Sequence, residues 1–164
     1  NSACFFHRIE SYEMQACYSL MLHYHGMLDL PFDAALLRGY DLSWCSVNSA
    51  KPGRTMPYRL VFHATNTWST NHLELDNEAV IDHLIQSATR HLGPTIGAFR
   101  YVDLQRWRYA NIPKQPNSPP MIDHKLQLGV CGDWLIQGRI EAAFLSALQF
   151  ATAFLGRMGQ TPCL

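Results

Sequence analysis

Apolar and polar positions along the chain follow two periods, and their order predicts several strands, one helix, two strands and a last helix. The clearest alternation runs from Tyr58 to Thr65. There Leu60, Phe62 and Ala64 alternate with Arg59, Val61 and His63, the period of a strand. Residues 15–24 are rich in large apolar groups and read as a buried strand that Gly26 and Asp29 break. Leu42 to Val47 alternates apolar with small polar residues, a further strand; Ala34 to Leu37 reads as a strand or a short turn. Ala3 to His7 is a short apolar stretch expected to be a strand. Asp76-Asn77-Glu78 caps a helix with Val80, Leu84, Ser87/Ala88 and His91 on one stripe, and Gly93-Pro94 stops it. Residues 98–110 follow as a long strand, and the proline-rich stretch 111–123 as a loop.

The end of the chain is the most distinctive part. Leu126, Leu128 and Val130 alternate with Gln127, Gly129 and Cys131, predicting a buried strand that a Gly132-Asp133 turn ends. Gly138 opens a helix running to about Leu155 that is apolar nearly all round, so it is expected to be buried on more than one side. Ala142, Ala143, Ser146, Ala147 and Ala151 give it a small-residue face suited to close packing on a sheet. Its first turn leaves N–H groups open to a ligand. The predicted class is therefore α+β, a mixed and largely antiparallel sheet with helices on one side.

Composition narrows the function classes. The 164 residues suit one domain with a sizeable core, and 48% hydrophobic with 16% charged residues is a globular profile. Zero formal net charge with scattered Lys and Arg argues against nucleic acid or an anionic membrane as a partner. No stretch has the ~20 consecutive apolar residues of a membrane span. Five cysteines without a paired framework read as reduced thiols in a cytoplasmic protein, with Cys17, Cys45 and Cys131 as small core hydrophobes. His23 and His25 could share a strand face, but no third ligand lies at a fixed spacing, so no metal is expected. No Gly-x-Ser-x-Gly elbow or Walker pattern is present.

Three side chains carry candidate chemistry on a flat substrate. Trp107 and Tyr109 stand two apart on a strand and share a face, an aromatic wall, and His63 is a strand imidazole able to move a proton. Each is equally a packing residue on pattern alone. Asp133 offers a carboxylate to hydroxyls, or else accepts a backbone bond in its turn. Glu141 suits the helix dipole, and Arg139 could pair with it or with a phosphate.

The string Gly132-Asp133, a short spacer, Gly138-Arg139-Ile140-Glu141-Ala142-Ala143 and Ser146-Ala147 resembles the C-terminal FAD-binding signature of the flavin-containing amine oxidoreductase superfamily, most closely its renalase-like branch. Upstream, Asn48-Ser49-Ala50-Lys51-Pro52-Gly53-Arg54, Val61-Phe62-His63-Ala64 with Trp68-Ser69 and His72-Leu73-Glu74, and Arg106-Trp107-Arg108-Tyr109-Ala110 are similar to family segments in the same order. Ala142 and Ala147 stand where the family has Gly.

The resemblance implies an FAD-dependent oxidoreductase passing a hydride from an amine or a dihydronicotinamide dinucleotide to flavin, with oxygen as acceptor. It implies cofactor contacts at Gly132, Asp133, Gly138, Arg139, Ile140, Glu141 and Ala142, and substrate contacts at His63, Trp107 and Tyr109. The Gly-x-Gly-x-x-Gly that would hold the FAD pyrophosphate is missing, and the first residue is Asn. The chain is thus expected to be the C-terminal piece of a flavoprotein, 1–124 giving most of a substrate domain and 125–164 the last strand and helix of an FAD domain, and to be inactive alone. Two other readings stand beside it: a non-enzymatic small-ligand-binding α+β domain, which needs no missing half, and a self-associating fragment in which two copies cover the helix and sheet edge that an FAD domain would cover.

Overall fold

The computed structural model describes residues 2–54, 57–113 and 118–158. Cys163 lies outside the described residues, as do 114–117 of the proline-rich loop. The elements are α1 (Ser2–Glu10), β1 (Gln15–Tyr24), β2 (Ala34–Leu36), β3 (Leu42–Val47), β4 (Tyr58–Ala64), α2 (Asn66–Asn71), α3 (Asn77–Leu92), β5 (Tyr101–Asn111), β6 (Met121–Asp123), β7 (Leu128–Val130) and α4 (Ile140–Met158). They form two compact units: residues 15–110, and the segments on either side of them.

The 15–110 unit is a five-stranded sheet in the order β2-β3-β4-β1-β5, with β2–β3, β3–β4 and β4–β1 all antiparallel. Alternation sorts its side chains. Tyr18, Leu20 and Leu22 of β1, Leu60 and Phe62 of β4, and Cys45 of β3 form one buried face. Against it pack Val80, Leu84 and Ala88 of α3, the predicted stripe. Asp76 accepts from the Ala79 N–H at 2.8 Å, and Gly93 (φ 101°) ends the helix, its N–H donating to the Thr89 carbonyl at 3.0 Å.

Helix α2 has no apolar period to announce it, and its job is local. Strand β1 meets β4 only from Ser19 onward. Before that point α2 side chains satisfy the β1 backbone: Ser69 Oγ accepts from Tyr18 N–H (3.1 Å), Thr70 Oγ1 accepts from Ala16 N–H (3.2 Å), and Asn66 Nδ2 donates to the Ala16 carbonyl (2.8 Å). Ser69 is fully buried. Ser69→Ala should therefore destabilise the protein by about 1–3 kcal/mol, since the Tyr18 N–H is left dry and unpaired; urea denaturation of the variant checks this.

In the other unit the N-terminal stretch is a helix, not the expected strand. Phe5 and Ile9 are four apart and both pack in the cluster of Met121, Leu135, Ile136 and Ala142, as helical spacing allows. The strand expected from Leu126 shrinks to β7, paired with β6. Asp123 Oδ1 accepts from Lys125 N–H (2.9 Å) and Leu126 N–H (3.0 Å), and Gln127 sits at φ 54°, so residues 124–127 make the hairpin turn. Neither β7 nor the last helix is buried as expected. Leu128 is exposed, Ile140 is 94% exposed and Phe144 67%. Within its unit α4 buries Ala142 and Ser146 and leaves Ile140, Phe144, Leu148 and Leu155 open.

Burial also divides the cysteines differently. Cys17 and Cys45 are buried, but Cys131, expected in the core, is exposed, as is Cys4. Burial raises the Cys17 thiol above its ordinary pKa and pushes Cys45 up to about 12. In native buffer Cys4 and Cys131 should react fast with a thiol reagent, and Cys17 and Cys45 only after unfolding, as peptide mapping of the labelled protein would show.

Candidate functional site

The second face of the five-stranded sheet carries the predicted chemistry. Val102 and Leu104 of β5 pack toward the core, and Arg106 lies over the Tyr18 ring, so Trp107 and Tyr109 point the other way. They are 53% and 78% exposed. His63 alternates with the buried Phe62 and Ala64 and reaches this same face from β4. The three predicted residues therefore share one face, on which Trp107 and Tyr109 are exposed and His63 is half-buried. His63 stands two strand spacings from β5, about 10 Å across the sheet, with β1 between them. His25 lies beyond the end of β1, so it does not share a strand face with His23. Among the described residues no group of three metal-ligating side chains comes together.

Two neighbours of His63 escaped sequence reasoning. Trp44 is its cross-strand partner on β3, and Cys17 Sγ is 3.8 Å from His63 Nδ1. The signal for Cys17 was its odd place in the β1 alternation, opposite in sense to Ala16 and Tyr18. The signal for Trp44 was hidden by a bulge between Leu42 and Trp44, where Ser43 Oγ lies 3.2 Å from the His63 carbonyl. Burial, and next the Lys51 charge, lower the His63 pKa, so its imidazole is neutral at pH 7 and open to accept a proton.

The sign of the stability effect follows. The folded protein binds this proton less readily than the unfolded chain, whose histidine keeps the ordinary value of 6.5. Stability from this site is complete above that value and falls as pH drops below it, until the folded-state pKa is passed. His63→Gln should flatten the stability–pH curve just below the ordinary histidine value of 6.5, measured by urea titration.

The Gly-Asp turn stands in the other unit. Gly132 N–H donates to Ser146 Oγ at 3.0 Å, tying the turn to α4. A side chain at 132 would overlap the Trp134 indole, which packs edge-on against Tyr12. The Asp133 carbonyl accepts from the N–H groups of Ile136, Gln137 and Gly138 at 2.9, 2.9 and 3.1 Å. Gly138 has φ 53°, a left-handed turn that frees the chain to enter α4. The Asp133 carboxylate itself has no hydrogen-bond partner among the described residues and stays half-buried. Arg139 and Glu141 are exposed and do not pair with each other. The first α4 bond runs from Ala143 N–H to the Arg139 carbonyl, so the Ile140, Glu141 and Ala142 N–H groups are the helix's open donors. The Ala142 methyl is buried against its own unit's core, away from that opening.

These features fit flavin on two counts: a free acid for ribityl or ribose hydroxyls, and a helix start for a polar ring edge or phosphate. No helix among the described residues is long and apolar enough to cross a membrane.

No family model matches the sequence. Among solved structures, cyclohexylamine oxidase from Brevibacterium oxydans is similar over 96% of this chain and 39% of its own, with a TM-score of 0.62 and 11% identity. A protein from an Exiguobacterium species, assigned as a protoporphyrinogen oxidase, is similar over 66% of this chain and 25% of its own, with a TM-score of 0.55 and 11% identity. The chain spans well under half of either protein. Its fold is α+β with a largely antiparallel sheet, the class expected from the sequence, and is similar to that of these two proteins.

Proposed function

We propose that the chain is the C-terminal portion of an FAD-dependent oxidoreductase of a reducing compartment, acting on an amine or a dihydronicotinamide-type substrate with oxygen as acceptor. The observation that carries this reading is the convergence of His63, Trp107 and Tyr109 on one sheet face. Bound FAD would supply the hydride-accepting chemistry. Trp107 and Tyr109 hold a planar substrate by stacking and exclude water, and neutral His63 accepts a hydrogen bond or a proton at Nε2 while Cys17 lies beside Nδ1. Asp133 and the open N–H groups of α4 hold the cofactor.

Anaerobic mixing of the whole protein with a dihydronicotinamide dinucleotide, and separately with a primary amine, tests it. Bleaching of the flavin by one of them, with peroxide formed on readmitting air, is expected; bleaching by neither contradicts the reading. The present chain, given FAD and the same substrates, should form no peroxide, because half of the cofactor site lies outside it.

The open apolar side of α4 favours a second, compatible reading: without a covering domain the chain pairs with itself. Phe144→Lys should then shift the chain toward monomer in light scattering, and a monomer already in the parent chain at high concentration rejects self-pairing.

A further inference from the structure

A cleft of about 500 Å³ in the 15–110 unit lies on the α3 side of the sheet, away from the Trp107 and Tyr109 face. One wall is α3, where His83, Ser87, Arg90 and His91 fall on one stripe; the other is the turn before β3, with Tyr40 and Asp41. Most of these groups are held in place by the fold. Thr65 N–H donates to the Asp41 carbonyl at 2.6 Å, and His83 Nε2 donates to the Asp41 carboxylate at 2.8 Å. The other side of His83 stacks on Trp68, with ring centroids 4.7 Å apart. The His91 ring lies against Tyr40 at 3.3 Å.

Two groups are left over. Arg90 has no hydrogen-bond or ion-pair partner among the described residues, whereas Arg106 and Arg108 are bonded to Asn77 and Glu74. Ser87 is a buried residue whose hydroxyl still reaches solvent and has no hydrogen-bond partner among the described residues. A basic last turn on α3 suits the helix dipole. That accounts for the sign of Arg90 and His91 but not for a cleft with a prearranged acid–imidazole pair and an unused hydroxyl on its wall.

We propose that this cleft binds the oxyanion of a small polar metabolite, carboxylate or phosphate, on Arg90 and Ser87. The guanidinium offers forked donors, and Ser87 adds a third. The Asp41–His83 pair at the far end accepts a hydroxyl of the same ligand, with Tyr40 and His91 as the flat wall. The site is separate from the flavin-side face, so it stands or falls independently of that reading.

The test is an NMR titration of the 164-residue chain, following the imidazole signals of His83, His91 and His23 at constant pH and ionic strength. The probes are inorganic phosphate and, separately, acetate. Saturable shifts at His83 and His91 but not at His23 are expected with at least one probe, and the probe that saturates names the ligand's anion. Arg90→Gln should weaken that binding about tenfold or more, and Ser87→Ala more mildly, the spectrum itself showing that each variant is folded. Linear, unsaturated shifts with both probes, or equal binding by the Arg90 variant, overturn the proposal.

Discussion

Phe62→Ala should destabilise the protein by about 3–5 kcal/mol, the largest effect of any single truncation considered for this fold. Phe62 is fully buried at the middle of β4, with Leu20 opposite it on β1 and Cys45 on β3. Removing the ring opens a cavity where three strands and α3 meet, and the sheet cannot close over it without losing register. Phe62→Leu keeps most of the volume and should cost less than half as much. Urea denaturation of the two variants gives the comparison. The functional consequence is direct, because Phe62 fixes the pleat that turns His63 to the opposite face; the leucine variant should keep that geometry.

Asp133→Ala should weaken flavin binding by the whole protein about 10- to 100-fold, the range for losing a hydrogen bond to a charged group. The turn should survive the change, because its three backbone bonds converge on the Asp133 carbonyl and not on the carboxylate. Asp133→Asn, which keeps an acceptor, should lose less. Fluorescence titration with FAD separates the cases, and unchanged affinity in the alanine variant would remove Asp133 from the cofactor site.

Legibility in the sequence followed the strength of the local pattern. Strand β4 and helix α3 were plain because burial on one side imposes a period, and α3 also carries its own start signal at Asp76 and stop signal at Gly93. Helix α2 was invisible, because its side chains serve the backbone of β1 and leave no apolar stripe. The first residues were misread because Phe5 and Phe6 sit together, and only the distant Ile9 betrays a helical face. The error over α4 has a different cause. An all-round apolar helix is built for burial, yet within its own unit α4 buries only its Ala142 and Ser146 side. The shared face of Trp107 and Tyr109 could be read from spacing alone. The approach of Cys17 and Trp44 to His63 could not, since it depends on strand order and on a bulge.

The apolar surface of α4 and the free carboxylate of Asp133 both gain a purpose if a flavin and its domain lie against them. The most direct measurement is the visible absorption spectrum of the whole protein encoded by the reading frame that contains this chain, purified without added cofactor. The account predicts the two-banded spectrum of oxidised flavin, at one flavin per polypeptide, and its loss in the Asp133→Ala variant on dilution. A colourless protein that also fails to take up added FAD would contradict it.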